Sequence, residues 1–494
     1  MWAMAMRSFL LPLLLVLVVL PGCATNPVTG HQDLVLMSEQ DEVKLGQKLN
    51  QQVLQQYQVY PDVNLQDYVQ YVGAKVAAKS DRTDIPYHFT VLDSDEVNAF
   101  ALPGGYIYIT RGILAYLNSE AQLAAVLGHE IGHVAARHAV RQYSASQLTS
   151  LGAALGAAFI PGLGSVAGQQ LTGLLGTAML RGYGREQELQ ADKLGAEYMA
   201  RSGYDPEAML SVLRTLKNQE SFEMKRARAE HRQPHIYHGL FATHPDNDTR
   251  LKSVIGSAEA DKTAKSTFIG RTEYLQRIDG LTFGPDTRGG IIKGRDFYHG
   301  GLDFALRFPR RWQIQNLPDR IMAISPDKGA LLQVNARPAD PRETPQQFFT
   351  DKLGLKPVGT GRSMTIHGLP AYTATAIINA GGVQRLARVT IIYHGREAFI
   401  IAGSPTGSGQ SLGSYDDDIL ATARSFRPLT AAERSYASST EHIKLIRAGQ
   451  DTSFKELAAQ APLDKFPEDQ LRLLNAKYPQ GRIQAGELVK TVVR

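Results

Sequence analysis

An α+β chain made of more than one folding unit is predicted from three observations. Apolar residues recur at helical spacing through residues 39–80 and again through 120–141. Short runs at 87–92 and 104–110 carry the two-residue period of strands. From Gly301 onward, β-branched and aromatic runs separated by turn residues replace the helical pattern. At 494 residues the chain is long enough to hold several cores.

The first element is an address. Arg7 precedes an apolar run from Ser8 to Leu20 that is too short to span a bilayer and suits a secretion signal over residues 1–22. Leu20-Pro21-Gly22-Cys23 resembles a bacterial lipoprotein processing site, and Cys23 is the only cysteine in the chain. Lipidation at Cys23 is therefore expected. Ala24 is not the aspartate that typically retains lipoproteins in the inner membrane; together with the family resemblance given below, it makes the periplasmic face of the outer membrane the expected location, with the inner membrane second. Lys and Arg exceed Asp and Glu by 5, without a basic stripe or aromatic interleaving, so nucleic acid is not an expected partner.

Residues 39–80 read as helical, followed by a strand at Tyr87–Leu92 and another at Gly104–Thr110, entered through a glycine pair. The next helix, 120–141, carries His129-Glu130-Ile131-Gly132-His133. At roughly 100° per residue the two imidazoles stand about 40° apart, one turn above the other, so both can bind one ion. Glu130 lies beside that pair and can serve as a base toward water at the ion. A catalytic site needs a third protein ligand. A histidine six residues past His133 is one solution, but Ala139 occupies that position. His138 projects about 180° from His129 on a helical wheel, over the apolar stripe, and reads as structural. Glu188 and Asp192, four residues apart in Arg185–Asp192, offer the other solution: one binds metal while its partner orients a ligand imidazole.

With these motifs the chain resembles the HtpX/BepA-type zinc metallopeptidases, gluzincin-like relatives of the CAAX prenyl proteases. Asn26-Pro27-Val28-Thr29-Gly30, Asn98 to Gly105, Thr243-His244-Pro245 and Arg250 add to the match, which covers roughly residues 24–260. The resemblance implies a mainly helical zincin-type peptidase domain over 23–260 with a small edge sheet. It implies one zinc ion per chain on His129, His133 and Glu188, with Asp192 behind a ligand and Glu130 as the base. It implies that the 104–110 strand borders the cleft, with Gly104, Gly105, Tyr106, Ile107 and Tyr108 pairing to an extended substrate. His244 has two open roles, a resting-state zinc ligand or an oxyanion donor; in the first case Arg250 supplies the oxyanion charge.

Between Arg141 and Arg181 no residue is charged, and a helical hairpin broken near Pro161 is expected, as packing, lid or contact surface. Residues 261–300 read as a linker. Residues 301–430 form a separate β-rich α+β domain of ~130 residues, with strands such as Tyr372–Ile378 and Gln384–Tyr393 and a closing helix near Asp416–Ser425. His367 and His394, both isolated, read as structural. The end, 440–494, resembles a small LysM-like module through Ile446–Phe454 and Ile483–Lys490, which makes peptidoglycan a candidate partner. Together these readings predict a lipid-anchored zinc metalloendopeptidase, and the resemblance implies misfolded or stalled envelope proteins as its substrates. The alternative class is a non-proteolytic outer-membrane assembly factor or peptidoglycan-tethered binding protein. Glu130 speaks against it, because a structural zinc site uses four protein ligands and needs no base.

Overall fold

The computed structural model describes residues 23–144, 183–230 and 267–494, apart from 26, 29, 31, 36, 286, 318, 381–382, 408–410 and 414. The signal-like segment 1–22, the expected hairpin within 145–182, and His244 and Arg250 lie outside the described residues. The chain is α+β and divides into two compact units. One runs to Phe283 and takes in Glu441–Val493; the other is Gly284–Thr440.

In the first unit, α1 (Glu39–Gln56) starts at Ser38 and α2 (Val63–Ala77) at Asp62, whose carboxylate accepts from Leu65 N at 3.1 Å. The helical run 39–80 is thus two helices. Pro61 cannot donate to a continuing helix, and Val59 instead forms an antiparallel bridge with Leu92. Three strands follow: β1 (His88–Leu92), β2 (Ala99–Leu102) and β3 (Tyr106–Thr110), in spatial order β1-β3-β2. β3 runs parallel to β1 and antiparallel to β2. Gly104 and Gly105 turn the chain between β2 and β3 with φ of +75° and +87°. A Cβ on Gly105 would lie 2.2 Å from the Pro86 carbonyl oxygen, so only glycine fits.

This order corrects one expectation. The 106–110 strand is central, its hydrogen bonds are taken on both sides, and its backbone has no capacity left for an added substrate strand. Among the described strands, β2 pairs only with β3 and presents an open edge.

Helix α3 (Glu120–Ala135) is buried along its whole length and packs with Val69, Val72 and Val76 of α2 and Ile107 and Ile109 of β3 in one core. It ends earlier than the 120–141 pattern suggests. Arg137 takes a left-handed φ of +53°, and a second helical stretch resumes at 138–144. That conformation costs a non-glycine residue about 1–2 kcal/mol. A buried ion cluster offsets it: Glu42 binds Arg137 Nε at 2.9 Å through one oxygen and Arg82 Nη1 at 2.7 Å through the other. Helices α4 (Arg185–Arg201) and α5 (Glu207–Ala229) complete the helical layer.

The stretch expected as a linker is structured in its described part. Arg271–Arg277 is a helix whose Tyr274 and Leu275 are buried in the first unit's core, and β4 (Thr282–Phe283) follows. The second unit begins directly afterwards, before residue 301, because Ile291–Lys293 and Asp296–His299 form a ladder with Phe304–Arg307. Its main feature is a seven-stranded antiparallel sheet spanning Gln313 to Pro405. Phe399, Ile401 and helix residue Ile419 fill a core on one face, and Phe349, Val389 and Ile391 fill a core on the other. His367 and His394 each bond a backbone carbonyl, of Phe426 and Asp303 respectively.

The last segment has the order β5 (Glu441–Arg447), α6 (Phe454–Gln460), α7 (Pro467–Leu474), β6 (Leu488–Val493), with β5 and β6 antiparallel. A separate module was expected here. Instead β5 pairs with β4, and Ile443, Phe454, Leu471, Leu474 and Val492 share the core that contains α3. Lys490 is fully buried and its Nζ donates to the carbonyls of Ala115 at 2.6 Å and Leu117 at 2.8 Å. The physical reason is size: a βααβ unit this small buries too little apolar surface to stand alone, and borrowing the larger core solves that. Among the described residues no helix is long and apolar enough to cross a membrane.

A chain ended at Thr440 would expose the partners of those five apolar side chains. At about 1.5–3 kcal/mol each, the loss is roughly 8–15 kcal/mol, comparable with the stability of a whole domain. Calorimetry of the truncated chain should therefore lack the transition of the first unit. An unchanged transition would mean that the C-terminal segment contributes nothing to this core.

Candidate metal centre

Helices α3 and α4 cross at contact distance because glycines face each other. A Cβ on Gly132 would lie 2.8 Å from the Ala191 carbonyl oxygen, and one on Gly195 would lie 2.8 Å from His129 N. Backbones this close bring short side chains of α4 within reach of α3. The N-terminus of α3 is held as well: Ser119 caps it through Gln122 N, and buried Glu120 accepts from Tyr68 at 3.0 Å and Tyr204 at 2.6 Å.

The crossing brings His129, His133 and Glu188 together. The two Nε2 atoms are 3.0 Å apart, and Glu188 places Oε2 3.4 Å from His129 Nε2 and Oε1 3.6 Å from His133 Nε2. All three residues are buried, and Glu188 Oε2 has no hydrogen-bond partner. Ligand atoms on a tetrahedral zinc with bonds near 2.05 Å stand roughly 3.3 Å apart. The three separations bracket that value. A buried carboxylate that turns one oxygen toward each of two imidazole nitrogens is a donor set for a borderline cation, so the residues fit zinc.

The supporting layer differs between the two histidines. His129 Nδ1 bonds Asp192 Oδ1 at 2.8 Å, which brings the sequence-predicted carboxylate behind the ligand. His133 Nδ1 instead lies 2.9 Å from Nδ1 of His138, which continues at 3.0 Å to Gln190 Oε1. The reading of His138 as structural is corrected. The turn at Arg137 breaks the helical phase and swings His138 back onto His133. Tyr183, missed from the sequence, stacks on the His133 ring at 4.0 Å between centroids. Neither residue had a spacing signal, since one depends on a left-handed residue and the other on the packing of α4.

Glu130 is buried, stands outside the donor cluster, and bonds the backbone of Ala101 on the edge strand β2. Burial pushes its carboxyl up to about 7, with His129 and the Ala101 bond opposing and Glu188 adding to the rise. Burial works against a charged His129, yet the bond to Asp192 and the nearby Glu188 carboxylate hold it well above the usual histidine range. His133 is pushed well below that range, by burial first and then by His129 and His138. A small cleft opens beside His133 between Leu102, Pro103, Val140 and Tyr183. Of the residues expected to bind substrate, Tyr106, Ile107 and Tyr108 lie in the central strand, and Gly104 and Gly105 form its entry turn.

Two outcomes are expected. Glu188→Gln should strip zinc from the purified protein, while Glu186→Gln, altered at an exposed position outside the donor cluster, should keep a full complement. Metal analysis of the two variants decides whether Glu188 is the ligand. The second concerns stability of the metal-free protein. Glu130 moves from an ordinary 4.5 to about 7, so the folded state holds an extra proton between those values and loses stability as pH rises through them. Above pH 7 the cost is on the order of 3 kcal/mol. Glu130→Gln should therefore raise the melting temperature at pH 8 and leave it unchanged at pH 4; equal shifts at both would rule out the buried carboxyl as the cause.

Residues 64–257 match the sequence profile of Peptidase family M48. The chain is 32% identical over 234 residues to the beta-barrel assembly-enhancing protease of Escherichia coli (strain K12), covering 46% of each chain. It is 29% identical over 250 residues to the protein of that name from Yersinia pestis, covering 49% of each. It is 27% identical over 231 residues to the mitochondrial metalloendopeptidase OMA1 of Schizosaccharomyces pombe, covering 46% of this chain and 64% of that one. The chain spans about half the length of the beta-barrel assembly-enhancing proteases it matches. Between residues 64 and 257, the chain carries a Peptidase family M48 domain.

Proposed function

We propose that this chain is a zinc-dependent metalloendopeptidase. The observation that carries the reading is the convergence of His129, His133 and Glu188 with Glu130 beside them and free of the donor set. Bound there, zinc supplies Lewis acidity toward water and a scissile carbonyl. Glu130 takes the proton of the attacking water and passes it to the leaving nitrogen. Asp192 keeps the His129 ring in the orientation a ligand needs. The open edge of β2 adjoins Glu130 through Ala101, so an extended peptide paired there would pass the base. His244 and Arg250 are proposed to complete the site from the segment after α5.

The substrates we propose are misfolded or stalled envelope proteins. Support comes from the signal-like N-terminus leading to Cys23 and from relatives named for β-barrel assembly. The location we propose is the periplasmic face of the outer membrane, with Cys23 lipidated. Peptidoglycan contact through 441–493 would have to use the surface left after that segment joins the core.

Glu130→Gln should keep its zinc and lose ~10²–10⁴ in cleavage of an unfolded substrate such as casein. Equal cleavage by wild type and variant, both zinc-loaded, would end the peptidase reading. Feeding cells a fatty-acid analogue should label the wild-type protein and leave Cys23→Ser unlabelled. A wild-type protein that stays unlabelled and freely soluble in the periplasm would remove the anchor.

A further inference from the structure

The hydrogen bonds behind His133 have one polarity that suits a metal ligand. Two ring nitrogens that face each other at 2.9 Å, as Nδ1 of His133 and Nδ1 of His138 do, share one proton: one nitrogen donates and the other accepts. At the far end of His138, Gln190 Oε1 can only accept. A neutral His138 therefore carries its proton on Nε2 and offers a bare Nδ1. His133 must then be N–H at Nδ1, which leaves its Nε2 with a lone pair aimed at the point shared with His129 Nε2 and Glu188 Oε1. With the Gln190 amide reversed, the chain of protons reverses too, and His133 would carry a hydrogen on Nε2 in the middle of the donor set.

We propose that His138 and Gln190 are positioning residues that hold His133 in the tautomer and ring orientation required of a zinc ligand. The inference rests on the metallopeptidase reading above. The surroundings are built for the arrangement. His138 is fully buried, so an unsatisfied ring nitrogen there would be costly. The left-handed Arg137, tied to Glu42, sets the turn that points His138 backward. Tyr183 stacks on the His133 ring and limits its rotation. The same helix supplies the ligand Glu188, the partner of His129, and the end of the chain behind His133. One ligand imidazole is thus backed by a carboxylate and the other by a histidine and an amide.

Zinc affinity of the full chain, measured by competition with a chromogenic chelator, tests this, with the melting temperature of each metal-free protein recorded alongside. His138→Phe removes the acceptor and keeps a ring, and should weaken zinc binding by about 10–100-fold. Gln190→Leu should weaken it in the same direction. Gln190→Glu, which preserves an acceptor and cannot donate from a carboxylate, should retain wild-type affinity. Wild-type affinity in a folded His138→Phe protein, or equal losses in the two Gln190 variants, overturns the positioning role and leaves the metal site standing. If His138→Phe does not fold, the Gln190 pair decides alone. A wild-type protein that binds no zinc overturns the metallopeptidase reading itself, and this inference with it.

Discussion

The site depends on how closely two helices approach. Gly132 on α3 and Gly195 on α4 meet the facing backbone at distances that leave no room for a β-carbon, and Gly128 lies tightly against Gly195. A glutamate side chain is short, and the ligand atoms of His129, His133 and Glu188 all lie within 4.8 Å of one another. Widening the crossing by the thickness of a methyl group would draw Glu188 and Asp192 away together, because they ride on the same helix face. The glycines have no polar group and touch no substrate, yet they set both the ligand distance and the support behind His129.

A second constraint acts on His133. The end of α3 is a sharp turn at Arg137, held by Glu42 in a buried cluster with Arg82. Buried charges of this kind add little net stability, but removal of one partner is expensive, so the cluster fixes a geometry more than it strengthens the fold. Glu42 belongs to α1 and also lies against the turn through Gly104. One carboxylate thereby links the first helix, the entry to the central strand and the turn that carries His138.

The C-terminal segment shows how chain order and domain order can separate. β5 joins β4 across the whole of the second unit, with Glu441 opposite Phe283. Residues 284–440 are therefore an insertion between two adjacent strands of the first unit. Paired strand ends are a favourable place for an inserted domain, since entry and exit lie side by side and the host core is undisturbed. Lys490, buried against two carbonyls at the end of a helix, completes the closure.

Much of the centre was legible in residue spacing. His129 and His133 are four apart on an apolar helix, and Glu188 and Asp192 are four apart on a later one, so local helical geometry already pairs them. The strands at 87–92 and 104–110 and the β-rich run after Gly301 follow from alternation, which is also local. What spacing cannot encode is which strand lies in the middle of a sheet, since β3 and β2 have similar patterns and only long-range pairing assigns the open edge to β2. Nor can it foresee a left-handed Arg137, whose cost is offset by Glu42 nearly a hundred residues away, so His138 fell on the wrong side of an idealised helix. The C-terminal segment carries its own β-α-α-β pattern, but its lack of an independent core appears only when its apolar residues are found among those of α3. Local periodicity is written in adjacent residues; register, helix-breaking turns and shared cores arise from contacts between residues far apart in the chain.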